Sequence, residues 1–168
     1  INPAVIPNGQ IQLVCPHPGG VRSWIATSFN PNSKVLFVPA VESCMDQVPG
    51  PEGERGSLTS GVRWVLRARP DSDGNFGRVE AINMETREVV WTHRQVATPT
   101  SATLATAGGV VFNGSLDRRF TAYDDATGDV LWQTRLTDVP SSFPISYSVD
   151  GRQYVAVVVG NGSAHAQT

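Results

Sequence analysis

The chain has 168 residues, is 40% hydrophobic and 17% charged, and carries a formal net charge of −2. That composition excludes a disordered segment, and the 13 Lys and Arg, scattered along the chain, form no basic patch suited to nucleic acid. No run approaches the roughly 18 apolar residues of a membrane span, and no signal peptide is visible, so an exported protein is expected here in mature or partial form.

Helical periodicity is nearly absent. Short runs rich in Val, Ile, Tyr, Phe and Thr alternate with Gly, Pro, Asn and Asp, which predicts an all-β protein of short strands. In chain order, ATSF at residues 26–29 leads through a PNS turn into the apolar strand KVLFVP at 34–39. Residues 48–60 and 68–75 then lack periodicity and are dense in Pro, Gly and charge, so a loop insertion is expected near 46–76. Within it DSDGN mimics the start of a calcium loop. The twelfth position is Ile82 rather than Glu and no helices flank it, so it reads as a turn.

The phrase AINMETREVVW follows at residues 81–91, and AYDDATGDVLW repeats it at 122–132. Between them ATLA, a TAG turn and GVVFNG repeat the strand–turn–strand pattern of residues 26–39, and PISY, VDG and QYVAVV write it a third time near the end. The two Trp lie 132 − 91 = 41 residues apart, and Val110 and Tyr154 lie 44 apart. Val35 to Val110 is 75 residues, one period plus the insertion. A period of about 40–45 residues with several strands each is that of a β-propeller blade and excludes a small β-sandwich.

Each phrase reads as strand, hairpin turn, strand. Asp124 can accept backbone N–H bonds as an Asx-turn does, Thr127 can add a hydroxyl bond, and Gly128 sits where the turn wants positive φ. Ala81 and Ala122 leave room for the indoles of Trp91 and Trp132, whose predicted role is to stitch blade to blade. The first copy has Asn83 for Asp and Arg87 for Gly, and the Arg is expected to change its turn.

No independent catalytic constellation is present. His17, His93 and His165 lie in three different segments without metal spacing, and no Gly-x-Ser-x-Gly elbow, P-loop or Cys-x-x-Cys occurs. The two cysteines, Cys15 and Cys44, are 29 residues apart, which leaves both thiols and a bridge open.

The second phrase matches every fixed position of the tryptophan-docking motif Ala-x-Asp-x-x-Thr-Gly-x-x-x-Trp, and so resembles the quinoprotein dehydrogenases, eight-bladed propellers that carry pyrroloquinoline quinone (PQQ). LATAGGVVFNGSLDRRFTAYDDATGDVLW and FPISYSVDGRQYVAVVVGNG are similar to that family's C-terminal blades, and CPHPGGVRSW with FNPNSKVLFVPAVESCMD to an earlier one. The resemblance runs from about Asn2 to Ala164.

It implies a C-terminal portion, about three to four blades, of a ring that needs roughly 340 residues. The partners implied are the remaining blades, an alcohol or sugar substrate and an electron acceptor. PQQ and Ca²⁺ are implied for the complete enzyme, with binding by this chain alone not expected. The family's calcium ligands and general-base Asp belong to earlier blades, so no catalytic or metal-ligating residue is nominated.

Ser23 and Trp24 stand where many members have Asn-Trp and are the cofactor-side candidates; Arg22 beside them is placed to contact an anionic quinone or to face solvent, and solvent is expected. TPTSAT at 98–103 lacks a Trp that alcohol-oxidising members often carry, and Gly162 is followed by Ser163 rather than Trp. The closing segment is thereby closer to membrane-bound sugar and polyol dehydrogenases. The resemblance also implies a Cys15–Cys44 disulfide joining the two ends of one blade, worth about 3 kcal/mol, and hence a periplasmic or cell-surface location. The alternative is a non-catalytic quinoprotein-like propeller acting as a binding or assembly scaffold.

Overall fold

A computed structural model describes residues 11–49 and 62–160. Their regular structure is β-strand alone. The first strands are β1 (Gln12–Val14), β2 (Ser28–Asn30), β3 (Val35–Val41), β4 (Ser43–Pro49) and β5 (Val62–Ala68). Next come β6 (Gly77–Asn83), β7 (Val89–Gln95), β8 (Leu104–Ala105) and β9 (Val110–Gly114). The last are β10 (Arg119–Asp124), β11 (Val130–Arg135), β12 (Ile145–Val149) and β13 (Arg152–Ala156).

Two four-stranded antiparallel sheets, β2-β3-β6-β7 and β8-β9-β10-β11, are successive blades, and β12-β13 is a two-stranded hairpin after them. Side chains alternate across the pleat, so one face of each strand can be apolar. Val35 and Phe37 of β3, Val79 and Ala81 of β6, and Trp91 of β7 are buried. They meet Val111 of β9 and Tyr123 of β10 in one cluster. The core therefore lies between the blades. Each large side chain in it contributes about 1.5–3 kcal/mol of transfer free energy.

The two repeated phrases fold alike. Asn83 Oδ1 accepts from the N–H groups of Glu85 and Thr86 at 2.9 and 3.0 Å, and Asp124 Oδ1 from those of Ala126 and Thr127 at the same distances. Arg87 N–H donates to the Asn83 carbonyl, as Gly128 N–H does to that of Asp124. Both residues are left-handed, with φ of 64° and 77°. The expectation that Arg87 changes its turn is thus corrected. Asn serves the Asx bond as well as Asp, and Arg87 is exposed with room for its Cβ.

The stretch 46–76, expected as a loop insertion, is corrected too. Cys44, Asp46 and their neighbours form β4, which pairs with β5 over seven registered positions, and β1 adds a third strand. DSDGN is a turn in which Ser72 Oγ donates to the Arg69 and Asn75 carbonyls. The rest of the expected loop, residues 50–61, lies outside the described residues.

Glu42, at the junction of β3 and β4, locks this three-stranded sheet to the first blade. Its side chain is wholly buried and pairs with Arg69 (3.2 Å), Arg78 (2.7 Å) and Arg94 (3.1 Å). A buried carboxylate is tolerated only when its oxygens are filled in this way. Cys15 and Cys44 are disulfide-bonded, as expected, but the bridge does not span a blade. The β1–β4 register sets Val14 opposite Met45, so the cysteines meet at the end of β1, inside the extra sheet.

Candidate functional site

Ser23 and Trp24 lie in the segment between β1 and β2, which is fastened at several points. The disulfide holds its start. His17 N–H donates to the Ser43 carbonyl (3.1 Å) and Val41 N–H to the Val21 carbonyl (2.8 Å). Gly20, with φ of 73°, turns the chain. Gly19 is pressed on the His17 imidazole so closely that a Cβ there would lie 2.7 Å from Cε1.

This segment, the β3–β4 junction and residues 96–100 enclose a cavity of about 390 Å³. Val21, Trp24, Ile25, Leu66, Phe76 and Leu116 give it a mainly apolar lining. Trp24 is 44% exposed and meets Phe143 edge-on, centroids 5.9 Å apart. Ser23 lines the same cavity and is exposed. Arg22 also lines it and is exposed, its guanidinium 3.4 Å from the Ile25 carbonyl. Thr100, on the opposite wall, has a buried hydroxyl oxygen with no hydrogen-bond partner among the described residues.

Such a site suits a planar ring with polar edges. It offers an aromatic surface for stacking, apolar walls to exclude water, and a cation and hydroxyls for the rim. The orphan Thr100 hydroxyl is the kind of buried polar atom that a ligand satisfies. Among the described residues no group of three His, Cys, Asp or Glu could hold a metal ion, and no acid–base pair faces this cavity.

The residues of the two repeated phrases lie elsewhere, and of their two indoles only that of Trp91 is on the interface between the described blades. Ala81 pairs directly with Trp91, and Ala122 with Trp132. The Trp91 indole lies against Gly128 of the next blade, and its Nε1–H donates to the Asp125 carbonyl at 3.0 Å. It also packs on Phe37 and Tyr123, at 5.8 and 6.2 Å between centroids. Asp125 is a contact that the sequence reading missed, and its carboxylate also accepts from Asn30 Nδ2. Thr127 Oγ1 accepts from Asp129 N–H and donates to Asp129 Oδ2, inside its own turn. Trp132 has no such neighbour among the described residues and is 51% exposed.

Two ionisable groups at this interface are shifted. Burial lowers the His93 pKa below its usual 6.5, against the raising effect of the bond its ring donates to the Gly128 backbone carbonyl, and burial raises that of Tyr123 to about 12. Their rings lie 4.8 Å apart.

Four-stranded antiparallel sheets joined face to face at a 41-residue repeat, with one sheet's indole seated on the next sheet's turn, define part of a β-propeller. Residues 3–155 match the family "PQQ: Glucose/ethanol/alcohol dehydrogenase, beta-propeller domain", and the chain belongs to it. It is 34% identical over 163 residues to a quinohemoprotein alcohol dehydrogenase of Comamonas testosteroni, covering 92% of this chain and 23% of that protein. It is 31% identical over 154 residues to subunit 1 of a methanol dehydrogenase of Methylobacterium organophilum, covering 89% and 25%.

Among solved structures, a europium-containing methanol dehydrogenase superposes with a TM-score of 0.73 at 27% identity, over 87% of this chain and 26% of that one. The Comamonas testosteroni enzyme superposes with 0.71 at 30% identity, over 90% and 24%. The chain spans about a quarter of the length of these relatives.

Proposed function

We propose that the chain is the C-terminal blade region of a PQQ-dependent dehydrogenase that oxidises an alcohol or sugar and passes electrons to an external acceptor. One observation carries the reading. Trp24 turns an exposed aromatic surface toward a mainly apolar cavity of about 390 Å³ that Ser23 and Arg22 also line, with a buried Thr100 hydroxyl in its wall that has no partner among the described residues. In this reading Trp24 would stack on the quinone, Arg22 and Ser23 would hold its polar edge, and the Thr100 hydroxyl would be there to accept or donate a bond. Bound PQQ supplies the two-electron redox chemistry. The residues here orient it and keep water out.

Calcium and the base that takes the substrate proton are supplied by blades outside this chain. So is the surface that covers Trp132, by the geometry that Gly128 and Asp125 give Trp91. The disulfide supports an oxidising compartment, periplasm or cell surface.

The test uses the complete protein. Addition of PQQ with Ca²⁺ is expected to quench tryptophan fluorescence and to support dye reduction with a primary alcohol or an aldose. Trp24→Ala is expected to weaken PQQ binding by about tenfold or more, the loss of one stacking platform. Absence of dye reduction with every alcohol and aldose tried, PQQ and Ca²⁺ being saturating, leaves the scaffold reading in its place.

A further inference from the structure

A second cavity, of about 200 Å³, lies between β7 of the first blade and the facing side of the second. His93, Arg94 and Gln95 line it from one blade, and Arg119, Thr121 and Tyr123 from the other. At about 30 Å³ per water it holds the volume of roughly seven waters, that of a sugar-sized molecule. It is separate from the Trp24 cavity in all but Val96 and belongs to the blade interface.

Its polar groups are unevenly satisfied. Gln95 Oε1 accepts from the Tyr123 hydroxyl at 3.2 Å, whereas Gln95 Nε2 is buried and donates to no described residue. Arg94 uses Nε alone, on Glu42 Oε2. Of the three arginines on Glu42, Arg69 has a second carboxylate in Asp71 and Arg78 one in Glu80. Arg94, the one that lines the cavity, is in contact with Glu42 alone among the described carboxylates, with the Asp71 charge acting on it from further off. Asp117, the carboxylate of the cavity wall, is already engaged by Arg119 (2.8 Å) and by the Ser115 hydroxyl (2.6 Å). The one carboxylate among the described lining residues is thus spoken for, and the strongest groups left open are donors: a guanidinium edge and a buried amide. A buried donor without an acceptor is a group that a ligand atom satisfies.

We propose that this cavity binds a small hydroxylated carboxylate. Its carboxylate accepts from Arg94 and from Gln95 Nε2, in charge-assisted bonds within a partly dry site. Its hydroxyl groups meet Thr121 and Asn75, which also line the wall. The ring of His93 closes one side. The proposal stands on these donors and not on the dehydrogenase reading, and its test needs no turnover.

The test is calorimetric titration of the complete protein, without electron acceptor, with gluconate and with glucose as the uncharged molecule of the same carbon skeleton. Gluconate is expected to bind saturably with a Kd on the order of 1 mM or tighter, whereas any glucose binding is expected to be unmoved by the two substitutions below, no charge-assisted bond being made here. Gln95→Glu keeps the acceptor for the Tyr123 hydroxyl and replaces the free donor by a carboxylate, so gluconate affinity should fall about tenfold or more. Arg94→Lys keeps the pairing to Glu42 with fewer donors and should weaken binding severalfold, which serves if the first variant does not fold. No saturable gluconate binding, glucose binding that falls with the substitutions as gluconate's does, or unchanged gluconate affinity in a folded variant overturns the proposal.

Discussion

Gly128→Ala perturbs the point where the blades meet, and its cost can be worked from the coordinates. Gly128 has φ of 77°, a conformation that costs a residue with a Cβ about 1–2 kcal/mol. A Cβ built there lies 2.6 Å from Trp91 Cδ2, 2.7 Å from Cε3 and 3.0 Å from Cγ. The indole cannot swing aside, because Phe37 and Tyr123 pack against it. It must lift, which strains or breaks the Nε1–H bond to the Asp125 carbonyl, worth about 1 kcal/mol net. With the packing lost beneath the ring, the total comes to about 3–6 kcal/mol. Trp91→Ala alone costs about 3–5 kcal/mol. In the double variant the clash has no target, so Ala at 128 adds only its backbone cost of about 1–2 kcal/mol. Urea unfolding of the complete protein, with Gly128→Ala, Trp91→Ala and both together, gives the coupling directly. Additive effects, or a Gly128→Ala cost below about 1 kcal/mol, refute the seating of Trp91 on that turn.

Arg87 holds the same left-handed place at an exposed position. Arg87→Gly relieves about 1–2 kcal/mol of strain and gives back about 0.4–1 kcal/mol in unfolded-chain entropy, so a net gain near 0.5–1 kcal/mol is expected by thermal unfolding. Glu42→Ala leaves the guanidiniums of Arg69, Arg78 and Arg94 without their shared buried carboxylate and should cost about 3–5 kcal/mol, read as a lower urea midpoint. The Tyr123 pKa is raised to about 12 in the fold, so the unfolded chain ionises first: its contribution is full below pH 10 and declines between pH 10 and about 12, by about 3 kcal/mol, a loss that Tyr123→Phe should abolish. His93 is shifted the other way. The unfolded chain takes the proton first, so stability falls as pH drops below about 6.5, and His93→Gln should flatten that slope. Opening the 29-residue disulfide separation should cost about 3–4 kcal/mol. An alkylating reagent under denaturing, non-reducing conditions should label neither Cys15 nor Cys44.

What was legible beforehand was what repeats locally. The phrase around Asp124 specifies its own turn through bonds spanning two or three residues, and the Ala opposite the Trp follows from hairpin register. The spacing of two such phrases then dictates where one blade ends and the next begins. The extra sheet escaped because its strands pair at a distance, β1 with β4 some thirty residues on. Yet β5 did carry a signal: Trp64 and Leu66 alternate with Arg63, Val65 and Arg67 in the two-residue period of a strand. The same distance hid the charges. Glu42 meets Arg78 and Arg94 across 36 and 52 residues, and no motif announces a buried carboxylate ringed by guanidiniums. Both cavities are assembled wholly from such distant contacts, one drawing on residues from His17 to Leu116. Only Ser23 and Trp24 could be pointed to, and only through a family pattern. The repeat therefore predicts the frame, which must be copied blade after blade. It is silent about the walls of the cavities, where each blade is free to differ and where a ligand is chosen.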